Sequence, residues 1–328
     1  MGGLLSSVID ETLGSEESRP AGVRSNVCTK KDSLIYDVGL HKGEDTAFYL
    51  AKGFEVVAFE ANPALVQSCR ARFADAIATG RLTIVEGAVV DEAANSHEAT
   101  VTFYRNDENS VWGTAVPHWA ERNELLGSSS HRISVPAVKM SQCLQQFGVP
   151  YYMKIDIEGA DLFCLRALER CEVRPDYVSL ESEKRVFKGL VEEFRLLETL
   201  GYSRFKIVQQ AAICEQSAPE CAREGAQVSH RFEEGASGLF GLELPGRWLT
   251  RNLALLRYTW ISVLYRMFGD YGVLSKSRVG EILRRVLAKL LQQPIPGWYD
   301  THARHGSIVG PNIEHRLSHR YASRLGPI

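Results

Sequence analysis

From residue 34 onward, short apolar runs alternate with longer amphipathic stretches. Residues 34–38 are an apolar run entering a glycine turn, the pattern of a buried strand. Residues 45–52 read as a helix and 55–59 as a second buried strand. Residues 64–77 read as a helix opened by Asn62-Pro63, with proline near the first helical position. Residues 82–85 read as a third strand. This alternation predicts a parallel sheet covered by helices. The rhythm breaks at 100–104 and 133–138, two strands around a loop holding Ser110, Trp112, His118 and Trp119. It resumes with a strand over 151–155, a helix over 161–170, a strand over 177–180, a helix over 191–200 and a strand over 205–208. Residues 211–236 read as a long polar loop. After Pro245-Gly246 the chain turns helical and basic. Ile282, Leu283, Val286, Leu287, Leu290 and Leu291 share one face there, with Arg284, Arg285 and Lys289 elsewhere.

The expected fold class is therefore α/β, a doubly wound, mostly parallel sheet with a C-terminal helical extension. Three regions are expected. Residues 1–30 form a lead-in, 31–245 form the main domain with insertions near 105–130 and 211–236, and 246–328 form the basic helical region.

The 328 residues are 45% hydrophobic and 24% charged, which fits a folded chain. The net charge of -2 argues against a nucleic-acid binder. The charge is split, about +9 over 246–328 against about -11 over the rest, so the basic helices are candidates for an anionic partner or membrane surface. Their apolar stripe is expected to dock on the acidic core and leave Arg284, Arg285 and Lys289 to solvent. Seven cysteines, an odd number with no zinc-type spacing, suggest free thiols in a reducing, cytoplasmic compartment. Neither a secretory signal nor an apolar run of membrane-spanning length is evident. The start Met-Gly-Gly-Leu-Leu-Ser fits a loose myristoylation pattern, with an untethered tail as the simpler reading.

Candidate chemistry begins at Tyr36-Asp37-Val38-Gly39-Leu40-His41-Lys42-Gly43. An acid ends the first strand, and a Gly-x-x-x-Gly turn leads into a helix. Gly39 would allow a sharp turn and close approach of a ligand. Glu60, at the tip of the second strand, could accept both hydroxyls of a ribose. A dinucleotide turn wants glycine where His41 stands, and Asp37 would repel a diphosphate. The same carboxylate suits the ammonium of a methionyl group. The pattern thus favours S-adenosylmethionine (SAM) over NAD. A second signal is Lys154-Ile155-Asp156-Ile157-Glu158-Gly159-Ala160-Asp161, where a strand ends in alternating acids before a helix. Asp156 and Glu158 can share one side of the sheet's carboxyl edge. Helix capping is their bland alternative, and it is the role expected of Asp161.

Asp37-Val38-Gly39 with Gly43, Phe59-Glu60-Ala61-Asn62-Pro63, Glu86-Gly87-Ala88 and the Lys154–Ala160 segment occur in the order seen in FkbM-type methyltransferases. Over about 33–209 the chain resembles that family. The resemblance implies a class I methyltransferase fold and methylation of a hydroxyl on a sugar, glycan or natural product. It extends the candidate cofactor set from Asp37, Gly39, His41, Gly43 and Glu60 to Asn62, Glu86, Gly87 and Ala88. It departs at His41, where the family more often has Asn. It says nothing about 246–328.

Asp156 is the first choice to orient or deprotonate the acceptor hydroxyl, and Glu158 the second. A Mg²⁺ ion on Asp156, Glu158 and Glu181 is the lesser alternative. Trp112, His118 and Trp119 could cover a sugar acceptor. The His302/His305 and His315/His319 pairs could each share a helical face, read as solvated basic helix before metal site. Two other classes stay open: an NAD-dependent oxidoreductase, and a non-catalytic protein docking through its basic region.

Overall fold

The computed structural model describes residues 28–92, 99–182, 187–269, 272–275, 277–291 and 293–308. The myristoylation pattern and His315/His319 lie outside them. The elements run β1 (Lys30–Val38), α1 (Glu44–Ala51), β2 (Glu55–Glu60), α2 (Pro63–Arg72), α3 (Ala74–Ala78), β3 (Leu82–Glu86), β4 (Ala88–Val89), β5 (Thr100–Asn106), α4 (Pro117–Leu125), β6 (Ser130–Val138) and α5 (Met140–Phe147). They continue β7 (Val149–Ile155), α6 (Asp161–Leu168), β8 (Tyr177–Glu181), α7 (Phe187–Thr199), β9 (Tyr202–Gln209), α8 (Arg251–Phe268), α9 (Arg278–Leu291) and β10 (Tyr299–His305).

Seven strands form one sheet in the order β3-β2-β1-β7-β8-β10-β9. The pairs β2–β3, β1–β2, β1–β7 and β7–β8 are parallel, and β10 is antiparallel to both neighbours. The order reverses between β1 and β7, so the carboxyl ends of these two strands flank the switch point where ligands bind in open α/β sheets. A smaller sheet, β4-β6-β5, carries the break in the alternation.

Alternation along β1 assigns its faces. Leu34, Tyr36 and Val38 enter a core with residues of α5, α6, α7 and α8, whereas Ile35 enters a second core with Phe48 and Tyr49 of α1. The second core is closed by coil. Ile213, Phe232, Leu239, Phe240 and Leu244, from the expected long loop and just beyond it, pack there.

Three expectations about the C-terminal region and the cysteines change. The basic helices form, but the chain then returns as β10 and inserts between β8 and β9, so the main domain takes a strand from beyond residue 245. His302 and His305 therefore lie on a strand, where backbone pairing with β8 and β9 imposes the extended form. His302 is buried, and burial first, with Lys206 adding to it, pushes its ring down to about 3. Second, the α9 stripe does not dock on the core. Ile282 is 65% exposed and Leu290 73%, and Gly280 is the one buried residue of the helix. Third, Cys28 and Cys171 are joined as a disulfide across 143 residues, against the expectation of free thiols throughout. Cys69, Cys143, Cys164, Cys214 and Cys221 are free. Among the described residues no helix is long and apolar enough to cross a membrane.

Candidate functional site at the carboxyl edge

The expected residues gather at the carboxyl ends of β1, β2, β3, β7 and β8. Gly39 follows β1 with φ +99°, and a Cβ there would lie 2.0 Å from the Asp156 carbonyl oxygen. The close approach expected of a ligand is thus made by the chain itself. Gly43 is the N-cap of α1. His41 sits in the left-handed region at φ 50°, which histidine and asparagine tolerate better than most residues. The departure from the family's Asn thus keeps the turn's geometry. Its ring bridges outward, with Nδ1 3.1 Å from Glu44 Oε1 and Nε2 2.8 Å from Ser110 Oγ.

Glu60 ends β2 with its carboxylate fixed by two amides. His41 N donates to Oε2 at 2.9 Å and Asn62 N to Oε1 at 2.8 Å. Burial pushes this carboxyl up, while the amides of Asn62 and His41 pull it down. Each oxygen keeps a further lone pair for an incoming hydroxyl. Asn62 caps α2 by accepting from Ala64 N at 3.1 Å. Glu86 lies in register with Glu60 on β3 and pairs with Arg70 at 3.0 Å. Gly87 N donates to the Glu60 carbonyl at 2.8 Å, and Ala88 is buried in β4.

Asp37 has a cationic partner within the chain. It is fully buried, accepts from Thr46 Oγ1 at 2.7 Å and lies 3.2 Å from Lys154 Nζ. The cation this carboxylate suits is already present in the chain. Sheet parity explains why: Asp37 and Lys154 are opposite each other on β1 and β7, on the α1 side of the sheet. Lys154 also donates to the Gly39 carbonyl at 2.8 Å and lies 3.6 Å from Asp45 Oδ2. Burial works against its charge, but Asp37, Asp45 and Asp156 outweigh burial and hold the ammonium well above its usual range. Burial pushes Asp45 up to about 6 against the pull of Lys154. Ser237 N closes the cluster by donating to both Asp45 oxygens. Lys154 has no role in the set of site residues expected from the sequence, yet it is the buried cation of this cluster. A lysine inside an otherwise apolar strand, two residues before an acid, is the signal that marks it.

Beyond β7 the two acids diverge. The Asp156 side chain is 46% exposed, with Oδ2 4.0 Å from Lys154 Nζ. Glu158 is held at φ 47°, so His41 and Glu158 are the non-glycine residues with positive φ among those described. Strained backbone of this kind clusters at functional sites. Burial first, then the charges of Glu181 and Asp156, push the Glu158 carboxyl well above its usual range. Burial likewise pushes Asp161 up to about 7, and Asp161 accepts from Gly159 N at 3.2 Å. Among the described residues no three His, Cys, Asp or Glu are grouped to hold a metal ion, so Asp156, Glu158 and Glu181 do not form a ligand set.

The segment between β5 and β6 covers this edge. Ser110 contacts His41 at one end, and Thr114 Oγ1 donates to the Glu158 carbonyl at 2.8 Å at the other. Trp119 lies against Gly159, where a Cβ would be 2.2 Å from the indole nitrogen. The Arg122 guanidinium stacks on the other part of this wall, 4.6 Å from the Trp119 ring centre. His118 is exposed on the first turn of α4, and Trp112 is half-buried, its carbonyl accepting from Asn123 at 3.0 Å.

The model of the methyltransferase FkbM domain matches residues 37–204, just over half of the chain. No curated protein matches. Among solved structures, the FkbM methyltransferase of Methylobacillus flagellatus is similar at 18% identity and TM-score 0.35, over 55% of this chain and 40% of that one. The chain thus spans well under two thirds of that relative. The SAH-bound methyltransferase PaMTH1 of Podospora anserina is similar at 11% identity and TM-score 0.26, over 83% of this chain and 71% of that one. A sarcosine dimethylglycine methyltransferase, so described, from Galdieria sulphuraria is similar at 6% identity and TM-score 0.34, over 85% and 80%.

Proposed function

The chain belongs to the methyltransferase FkbM domain family, and on that premise we propose that it transfers a methyl group from SAM to a hydroxyl of a sugar, glycan or natural-product acceptor. The observation that carries the reading is Glu60. Its carboxylate is fixed by two amides beside the Gly39 turn and retains lone pairs for a ribose diol. Asp37, beside the same turn, is shared with Lys154 at 3.2 Å and Thr46 at 2.7 Å.

SAM, when bound, supplies an electrophilic methyl group, and the remaining work falls to the chain. Glu60 would hold the ribose. The segment carrying Ser110, Thr114 and Trp119 excludes water from the edge. Asp156, half-exposed and 4.0 Å from Lys154, would orient the acceptor hydroxyl and accept its proton. Glu158, with its carboxyl pushed up, donates a hydrogen bond to the acceptor rather than acting as base. A wall holding the Trp119 ring beside Gly159 and the half-exposed Asp156 offers a ring face and hydrogen-bond acceptors to a polyhydroxylated acceptor.

Calorimetry with SAM, S-adenosylhomocysteine and NAD is the test, on the wild type and Glu60→Ala. The reading expects SAM binding weakened by about 1.5–3 kcal/mol in the variant, the cost of losing charge-assisted hydrogen bonds. NAD binding in place of SAM would overturn it in favour of an oxidoreductase. SAM binding with no label transferred to any of a panel of hydroxylated acceptors would favour a non-catalytic protein.

A further inference from the structure

We propose that α8 and α9 form a docking surface for an anionic lipid bilayer. The two helices lie in the later part of the connection between β9 and β10, and their outward sides are apolar where a water-facing surface should be polar. On α8 the buried residues Ala254, Tyr258, Ile261 and Phe268 occupy one face. Leu253, Leu256, Trp260 and Val263 form a second stripe at three- and four-residue steps, and they are 40–68% exposed. On α9, Val279, Ile282, Leu283, Val286 and Leu290 repeat the same spacing, with exposures from 38% to 73%. Core packing accounts for the first face of α8 and for none of these residues.

The charge on these helices decides between occupants. α8 and α9 carry Arg251, Arg257, Arg266, Arg278, Arg284, Arg285 and Lys289 against a single acid, Glu281. Arg251 is used internally, 3.3 Å from Glu198, and Arg285 pairs with Glu281. Arg257, Arg266, Arg278, Arg284 and Lys289 are exposed. An apolar stripe bordered by arginine and lysine matches a surface of uniform negative charge over an apolar interior, which is the headgroup boundary of an anionic bilayer. A second copy of the same face would set like charges against each other. Exposed Trp260, at 68%, and Trp298, at 51%, fit the same boundary, where an indole keeps its N–H in the polar layer.

The position relates this surface to the candidate site. Gln210 N, just past β9, donates to the Trp298 carbonyl at 2.9 Å, and Asp300 pairs with Glu181 at the end of β8. The return from α9 therefore reaches the carboxyl edge of the sheet, the edge that carries Asp156 and Glu158.

The test is co-sedimentation of the full chain with vesicles of phosphatidylcholine alone or mixed with phosphatidylserine, at low and high salt. Gel filtration is run in parallel without lipid. Two double variants at exposed positions are compared with the wild type: Ile282→Asp with Leu290→Asp, and Arg284→Ala with Arg278→Ala. Far-UV circular dichroism and thermal melting confirm that each is folded. Binding is expected to need phosphatidylserine and to weaken as salt rises. Each variant should lower it by about tenfold or more. Failure of the wild type to bind the mixed vesicles would overturn the proposal, as would equal binding to both vesicle types. So would a dimer that the aspartate variant dissolves while vesicle binding is absent, since a second copy would then cover the stripe. None of these readouts involves SAM, so the proposal stands or falls apart from the methyltransferase reading.

Discussion

A methyl group on Gly39 would lie 2.0 Å from the carbonyl oxygen of Asp156. The turn after β1 and the end of β7 thus meet backbone to backbone at the switch point of the sheet. The turn that would cradle a donor and the acid that would serve an acceptor form one rigid piece. Gly39→Ala cannot keep both φ +99° and this contact. We expect a stability loss of about 1–3 kcal/mol from strain alone. Weaker SAM binding and slower turnover should accompany it. Urea denaturation gives the first quantity, and an unchanged midpoint would show that the contact is looser than described.

Asp156 and Glu158 are close in sequence, but Asp156 is half-exposed whereas burial, then the charges of Glu181 and Asp156, push the Glu158 carboxyl up. Asp156→Asn removes the proposed base, and we expect a rate loss of about 10²-fold or more with SAM affinity changed only a few-fold. Glu158→Gln imitates a carboxyl that keeps its proton, so its loss should be much smaller. Single-turnover rates at saturating acceptor compare the two. A larger loss in Glu158→Gln would exchange their roles.

Glu224 sits far from this edge and is fully buried. It accepts from Tyr151 Oη at 2.8 Å and from Leu242 N at 2.6 Å. Burial pushes its carboxyl from 4.5 to about 8. Between those values the folded protein keeps a proton that the unfolded chain releases. The stability this group contributes is therefore complete below about 4.5 and is lost as pH rises through about 8. Glu224→Gln should flatten that decline. Melting temperatures of the two proteins across the window decide it, and parallel curves would assign the pH dependence to other groups.

The Cys28–Cys171 bond closes a loop spanning 143 residues and ties the start of β1 to the chain after α6. Thiol titration of the denatured, unreduced protein should find the five cysteines that are free. Cys171→Ser should lower stability by about 2–4 kcal/mol. Seven reactive thiols would instead restore the expectation made from cysteine count alone.

Local pattern specifies much of this chain. The apolar runs of β1, β2, β3, β7 and β8 and the helices between them were visible because each is specified by its own neighbours. The tips Glu60, Asp156 and Glu158 were visible because strand ends place acids at one edge. What needed the tertiary structure was pairing across long separations. Residues 299–305 look like the tail of a basic helical region, yet they form β10, because the gap between β8 and β9 offers backbone partners on both sides. Asp37 stands in the sequence as an acid at a strand end, and only the pairing of β1 with β7 sets the buried Lys154 ammonium 3.2 Å from it. The stripe of α9 is as clear in the sequence as any core helix. Whether it meets a core depends on where the helix is attached, and it is attached where its face meets solvent. Periodicity determines that a face is apolar; only the packed chain decides what lies opposite it.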